Sequence, residues 1–490
     1  MGLLTKKPIS VLLAQATEDG EFTLKRGLGP VGLTMLGIGS IIGAGIFVLT
    51  GQAAAQHAGP GIMLSFVISG IVCAFAALCY AEMASTIPVA GSAYTYAYAT
   101  LGEFFGWIIA WDLIVEYLFA ASTVSVGWSG YFVGLMHDYF NVTIPAIWSQ
   151  APFAAVGHDI VRTGAILNLP AVAVIFIAAF ILILGVTESS FFNNIMVAIK
   201  LAVVLLVIVF GAFYVHPANW TPFIPPATTD PATGAHMYGL GGVFAAAGVI
   251  FFAYIGFETV STAGQEARNP QINMPIGIIA SLVICTVLYI AMAAVMTGMV
   301  SYKLLNVPAP VYVAVDHAGP QMAWLKPVIS AGATIGLAST ILTLLYGQSR
   351  IFYAMSRDGL LPALFSKVHS KRRTPWLGTL LTAVFAALMG GLFPIGLLGE
   401  LVSVGTLLAF AVICAGVIFL RINEPGLARR FKTPVWWLTA PLGVLSCLYL
   451  ILSLPQATYV RLVVWMVIGF IVYFGYAYWH SRYHARKMGI

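Results

Sequence analysis

The sequence predicts an all-α polytopic membrane protein, and three observations carry that reading. Of the 490 residues, 60% are hydrophobic and only 8% are charged, against roughly 25% charged in an ordinary soluble domain. The apolar residues lie in continuous runs long enough to cross a bilayer, which takes about 20 residues of helix. Lys and Arg gather between these runs, strongly on one side. A chain this poor in charge cannot cover its surface in water, so most of its surroundings must be lipid.

The composition also excludes several classes. The net charge of +6 does not point to nucleic acid, because the basic residues sit between apolar runs instead of along one face. Cys73, Cys79, Cys285, Cys414 and Cys447 all fall inside apolar runs. With no CxxC pair, they suggest neither a disulfide scaffold nor a zinc site. The opening MGLLTKKPISVLLAQATEDGEF is polar and mixed in charge, unlike a signal peptide, and Lys6 spoils a myristoylation motif. No HExxH, phosphate loop or Ser/His/Asp set suggests an enzyme.

The hydrophobic runs give twelve expected spans, near 30–53, 61–87, 104–134, 169–186, 191–215, 238–264, 275–299, 327–355, 377–393, 398–421, 435–455 and 459–480. Residues 1–29 and 481–490 then read as cytoplasmic ends. With the N-terminus inside, seventeen Lys and Arg fall on the cytoplasmic side, from Lys6 and Lys7 to Arg486 and Lys487. Only Arg162, Lys303, Lys326 and Arg461 fall outside, while Lys200 and Arg350 lie within or at the end of spans. This bias predicts a cell-membrane protein with both termini in the cytoplasm. The longer outer loops, near 135–167, 216–237 and 300–326, should pack over the spans. The Asn141-Val142-Thr143 sequon is short enough to arise by chance.

Two spans carry their own interruptions. The first reads GLTMLGIGSIIGAGIFVLTG, with Gly43-Ala44-Gly45 near its midpoint. Glycine is costly inside a helix and permits unusual backbone angles. Opened backbone survives at membrane depth only when protein buries it or it lines a cavity. The competing reading is close helix packing, since Gly39 and Gly43 have GxxxG spacing. The sixth span, VFAAAGVIFFAYIGFETVSTAGQEARNP, is interrupted at Gly256 and carries Glu258 two residues later. An ionisable residue this deep normally faces a cavity or a partner. Interrupted spans five apart are the pattern of two inverted repeats, 30–215 and 238–421, with substrate between the breaks near the midplane. Spans at 435–480 complete the chain.

The breaks suggest a ligand chemistry. The half-helix that starts at a break presents free N–H groups at its positive dipole end, suited to a carboxylate. The half that ends there presents carbonyls, suited to an ammonium. A site offering both fits the zwitterionic head of an amino acid.

The segments GIGSIIGAGIF, YAEMASTIPVAGSAYTYAYATLGEFFGWIIAWDLIVEY, GFETVSTAGQEARNPQINMPIGI and YGQSRIFYAMSRDGLLP resemble the amino acid–polyamine–organocation superfamily. Within it, the sequence is most similar to the cationic amino acid transporter family in its bacterial, twelve-span form. The resemblance covers nearly the whole chain. It implies the LeuT fold, five-plus-five inverted repeats followed by two further helices, and secondary transport by alternating access. It also implies that the substrate carboxylate meets the N–H groups of Gly43, Ala44 and Gly45, and that its ammonium meets carbonyls of Ile41, Phe252 and Ile255. Phe252 would act as a gate over the substrate. Position 44 is Ala where many relatives carry a hydroxyl, leaving that contact to the backbone.

Lys200, in NNIMVAIKLAVVLLVIVFG, is the most informative single residue. A lysine inside a span must snorkel, pair or lose its proton. The resemblance implies that its ammonium replaces a sodium ion that ties span 1 to span 8 in sodium-coupled relatives. It would then be the proton-coupling group, or alternatively a permanent strut consistent with exchange. Glu116 is a second proton candidate, on one helix face with Asp112. Glu258 is expected just below the substrate, capping the second half of span 6 or facing a basic side chain. Glu82, Arg268, Arg350, Arg357 and Asp358 read as an inner gate network. Ser339, Leu342 and Thr343 are expected around the substrate side chain, whose identity the sequence leaves open between cationic and small neutral.

The resulting expectation is a proton-coupled amino acid importer. An obligate exchanger is the alternative, and a channel would need a continuous pore in place of two breaks. Expected partners are the amino acid, protons and membrane lipids, with no nucleic acid, metal or cofactor, in a monomer with or without a small accessory subunit.

Overall fold

The computed structural model describes residues 5–17, 24–156, 159–229, 236–307, 309–452 and 456–482. Twelve apolar helical units follow the expected order among the described residues. The first, α1, is in two pieces, Pro30–Ile41 and residues 45–58. Next come α2 (Ile62–Thr86), α3 (Glu103–Phe140), α4 (Leu169–Leu184) and α5 (Val186–Gly211). The sixth, α6, begins as Gly239–Ile250 and resumes as Thr259–Thr262. The rest are α7 (Pro270–Met299), α8 (Leu325–Arg357), α9 (Trp376–Leu392), α10 (Ile395–Asn423), α11 (Trp436–Leu452) and α12 (residues 456–480). Eight helical stretches are long and apolar enough to cross a membrane, and four shorter apolar helices accompany them among the described residues.

Local sequence sets many of the boundaries. Pro30, Pro170 and Pro270 stand in the first turns of α1, α4 and α7, where a missing N–H costs nothing. Asn168 caps α4 by accepting from the Ala171 N–H at 3.2 Å. The Phe393-Pro394 link stops α9 and starts α10, so the expected spans at 377–393 and 398–421 are separate helices. The only strands among the described residues are two short hairpins in the loops after α3 and α5.

Lipid-type surfaces lie on the outside. Phe176, Ile177 and Phe180 of α4 and Val463, Val464, Val467 and Ile471 of α12 are exposed, which in a bilayer is burial against acyl chains. The α12 helix is pinned to α3 by stacked Trp111 and Trp465, 4.7 Å between ring centroids. Each indole donates to the other's backbone carbonyl, at 2.9 and 3.1 Å. A short helix, Ser92–Thr100, lies between α2 and α3 with every residue buried.

The two breaks meet inside this bundle. A Cβ on Gly45 would come within 2.4 Å of the Ala253 side chain and 2.7 Å of its backbone, so only glycine lets α1 and α6 pass this closely. Gly256 has φ +129°, and a Cβ there would lie 2.6 Å from Ser40 Oγ. It supplies both the backbone angle and the space that the α6 break needs.

Candidate functional site

The backbone opens at residues 42–44 of α1 and 255–258 of α6. Ile42 turns extended (ψ 94°) while still bonding back to the Ile38 carbonyl. The N–H groups of Gly43, Ala44 and Gly45 stand at the start of the second half of α1, where a helix has no internal acceptors for them. In α6 the chain tightens through Phe251–Tyr254, then turns extended at Ile255 (ψ 131°).

A small cavity lies at these breaks, lined by Ser40, Ile41, Gly43, Ala44, Gly45, Ala120, Val124, Phe252, Ile255, Thr340 and Leu344. The opened backbone of α1 forms one end. Ala120 and Val124 from α3, Thr340 and Leu344 from α8, and Phe252 and Ile255 from α6 form the rest. No charged side chain is among these residues. Phe252 is half-buried at the wall.

Several expected contacts fall elsewhere. Tyr289 of α7, which the sequence did not single out, places its hydroxyl 2.7 Å from the Ile41 carbonyl and 2.8 Å from that of Ala253, so its one proton is shared between them, and Ile41 itself lines the cavity. Glu258 does not line the cavity. Its Oε2 turns back to accept the Gly256 N–H at 2.9 Å, which satisfies a donor freed by the break, and among the described residues no ion pair is formed by Glu258. On α8, Thr340 and Leu344 face the cavity in place of Ser339, Leu342 and Thr343. Positions 340 and 344 are one turn apart and share a face, the row next to that of 339 and 343.

Lys200 of α5 is buried and crosses to both α1 and α8. Its Nζ donates to the carbonyls of Gly39 and Ile42 at 2.8 and 2.7 Å and to Ser339 Oγ at 2.8 Å. The Ser339 hydroxyl donates to the Gly336 carbonyl at 2.9 Å, turning its lone pairs toward the lysine. Thr340 Oγ1 reaches the same two α1 carbonyls at 3.0 Å. Those carbonyls close the first half of α1, a helix end that favours positive charge. Three acceptors match the three donors of an ammonium; a neutral amine has one donor too few.

Below the cavity the buried acids are less well served. Both carboxylate oxygens of Asp112 and of Glu116, and Oε1 of Glu258, find no protein hydrogen-bond partner. Glu116 and Glu258 are neighbours, with Thr406 and Tyr117 beside them, yet Glu116 closes no well-aligned hydrogen bond. Ser40 and Thr259 link the two broken helices through their hydroxyls, 3.1 Å apart, and Thr259 reaches the Tyr117 hydroxyl at 3.4 Å.

The expected gate network divides into separate pairs. Glu82 meets Arg421 at 2.8 Å and Arg429 at 3.2 Å, and accepts the Thr433 N–H at 2.7 Å, joining α2 to the last turn of α10 and to the chain that follows it. Arg350 pairs with Glu266 at 2.8 Å and lies over the Tyr346 ring, whose hydroxyl donates to the same glutamate. Asp358 pairs with Lys7 at 2.5 Å and accepts from Tyr94 at 2.6 Å. Arg268 joins through its backbone, donating to the Leu28 carbonyl at 2.7 Å. Glu266 and Lys7 escaped notice because their partners are distant in sequence, and nothing in GQEARNP or LLTKKP announces them.

An opened pair of helices around an apolar cavity, with one buried lysine behind it, is the setting for comparison with known proteins. The amino acid permease family matches residues 28–478. The chain belongs to this family. Its all-helical architecture is the LeuT fold that the resemblance implied, and it is a multi-pass membrane transport protein, not an enzyme. The chain is 46% identical to a branched-chain amino acid permease of Bacillus subtilis over 97% of its own length and 98% of that protein's. It is 45% identical to a methylthioribose transporter of the same organism, over 98% of each chain. It is 35% identical to vacuolar cationic amino acid transporter 4 of Arabidopsis thaliana, over 83% of this chain and 65% of that one.

Proposed function

We propose that this permease imports neutral amino acids with branched aliphatic side chains across the cell membrane, coupled to protons. The observation that carries the substrate class is the cavity wall of Ala120, Val124, Ile255, Leu344 and Phe252, with opened backbone at one end. The backbone suits the shared zwitterionic head. Burying a valine or leucine side chain against such a wall is worth about 1.5–3 kcal/mol. A lysine or arginine substrate would bring an unpaired charge there, at a cost of several kcal/mol. The branched-chain permease relative agrees with this reading. A methylthioribose molecule has no carboxylate to engage the N–H groups at residues 43–45.

Substrate passes by alternating access, with repeats 30–215 and 238–421 moving around the two breaks, helices 435–480 outside them and both termini in the cytoplasm. The N–H groups of Gly43, Ala44 and Gly45 take the carboxylate, and the carbonyls near Phe252 and Ile255 take the ammonium. Lys200 is the coupling group. As an ammonium it holds the end of α1 to α8; losing its proton removes one donor and loosens that tie. Glu116 and Glu258 give the proton an inward station, because two adjacent carboxylates in a dry interior repel unless they share a proton. One polypeptide suffices for this cycle.

Counterflow and gradient experiments in proteoliposomes test both halves. Leucine, isoleucine and valine are expected to accumulate with an inward proton gradient and to stop accumulating when an ionophore collapses it. Unchanged accumulation without the gradient, or equal uptake of arginine or methylthioribose, would overturn the corresponding half.

A further inference from the structure

Residues 5–7 and 480–482 are far apart in sequence but meet beside the first residue of α3. That residue, Glu103, is fully buried, and three hydroxyls donate to its carboxylate: Tyr98 at 2.7 Å, Tyr473 at 3.1 Å, and Ser481 at the end of α12. In a regular helix Tyr473 and Ser481, eight residues apart, would stand about 80° apart around the axis. The wide turn at Tyr473–Ala477 takes up an extra residue and brings them toward one face. Residues 480–482 also close on the turn after α8. The Arg482 N–H donates to the Asp358 carbonyl at 3.1 Å. Gly359 has φ +84°, and a Cβ there would collide with the His480 carbonyl, so this turn accepts α12 only with glycine. From the other side, the Glu103 N–H donates to the Thr5 carbonyl at 2.9 Å and the Lys7 N–H to the Tyr98 carbonyl at 3.4 Å. The Lys7 ammonium then pairs with Asp358.

We propose that the end of α12 forms the fixed half of the inner gate, holding Glu103 and Asp358 as the seat on which residues 5–7 close. The seat joins α3, α8 and α12, none of which opens as α1 and α6 do. Residues 5–7 lead toward α1, whose first half ends at the substrate cavity, so an inward swing of that half carries them off the seat. Ser481 and the Arg482 N–H stay behind, keeping the Glu103 carboxylate and the Asp358 carbonyl in place for the return. A buried carboxylate that loses one of its donors is costly to hold where it is, so loosening α12 loosens the seat. Glu103 and Ser481 touch no substrate; they are positioning residues. The gating consequence rests on the alternating access proposed above, whereas the contacts of the seat do not.

The test follows hydrogen–deuterium exchange in the purified full-length protein with no substrate added. Ser481→Ala removes a donor to Glu103, and Arg482→Pro removes the N–H that the Asp358 carbonyl accepts. Both are expected to speed exchange at residues 5–17 about tenfold, and Tyr473→Phe, the mildest change in shape, to act in the same direction. Arg482→Ala keeps the N–H and is expected to change exchange far less than Arg482→Pro. No rise at residues 5–17, even with faster exchange in α12, or equal effects of the two Arg482 variants, would overturn the seat. In proteoliposomes a loosened seat favours the inward-open state, so KM for leucine uptake from outside should rise about threefold with little change in kcat. An unchanged KM beside faster exchange would overturn the gating role. The exchange measurement needs no substrate, so its failure is distinct from a failure of the amino acid reading, which would show as absent leucine transport by the unaltered protein.

Discussion

Lys200 and the acids beneath the cavity are both buried charge-bearing groups, yet the protein treats them oppositely. Lys200 has three acceptors for three donors, drawn from α1 and α8. Asp112 and Glu116 have four carboxylate oxygens with no protein partner, and Glu258 spends one oxygen on the Gly256 N–H. A buried polar group that is fully paired fixes geometry; one left unpaired costs free energy unless its charge is removed. The difference teaches that the lysine is held as a joint, while the acids are left unpaired, as the proposed proton-coupled cycle would need. The joint sits where two helices must hold together, and the acids sit where α3 meets the second half of α6.

The largest expected effect breaks the joint. Lys200→Ala leaves the carbonyls of Gly39 and Ile42 without their cation, and gradient-driven uptake is expected to fall about 100-fold or more, the equivalent of about 3 kcal/mol. Lys200→Met, which keeps the stem packed against Gly336, should fail as completely; uptake preserved in that variant would show that packing, not charge, makes the joint. Next in size is the inner ion pair. Glu266→Gln strands the guanidinium of Arg350 in a buried site, and a loss of about 3 kcal/mol in stability is expected by thermal or denaturant unfolding in detergent.

The acids should respond more selectively. Glu116→Gln preserves shape and removes the shared proton, so exchange of internal for external amino acid should continue while proton-driven accumulation drops roughly tenfold. Loss of both activities together would make Glu116 structural. The smallest change tunes the cavity: Leu344→Ala removes about three methylene-equivalents of wall, shifting preference from valine toward larger side chains by about 1–2 kcal/mol, read from competition for uptake. At the protein surface, Lys326→Ala breaks the exposed pair with Asp316 and should leave uptake within experimental scatter.

Much of this was written along the chain. Gly43, Gly45 and Gly256 announced the breaks because glycine is expensive where a helix should be continuous. Lys200 announced itself because a charge amid apolar residues demands a reason. The twelve helices came from hydrophobic length alone, to within a few residues at most ends, and α1 ran on through residue 58 because its second half continues in wide turns that apolar length does not mark.

What the sequence by itself determined is therefore the set of elements and the positions of their breaks: these are local properties, governed by backbone propensity and transfer into lipid. Only tertiary structure decided which groups meet. It turned Thr340 and Leu344 to the cavity, brought Tyr289 to Ile41 and Ala253, turned Glu258 back onto Gly256 and paired Asp358 with Lys7. Each of these depends on helix rotation and on contacts between residues far apart in the chain, which a hydrophobic pattern with a 3.6-residue period does not record when the helix is apolar on every side.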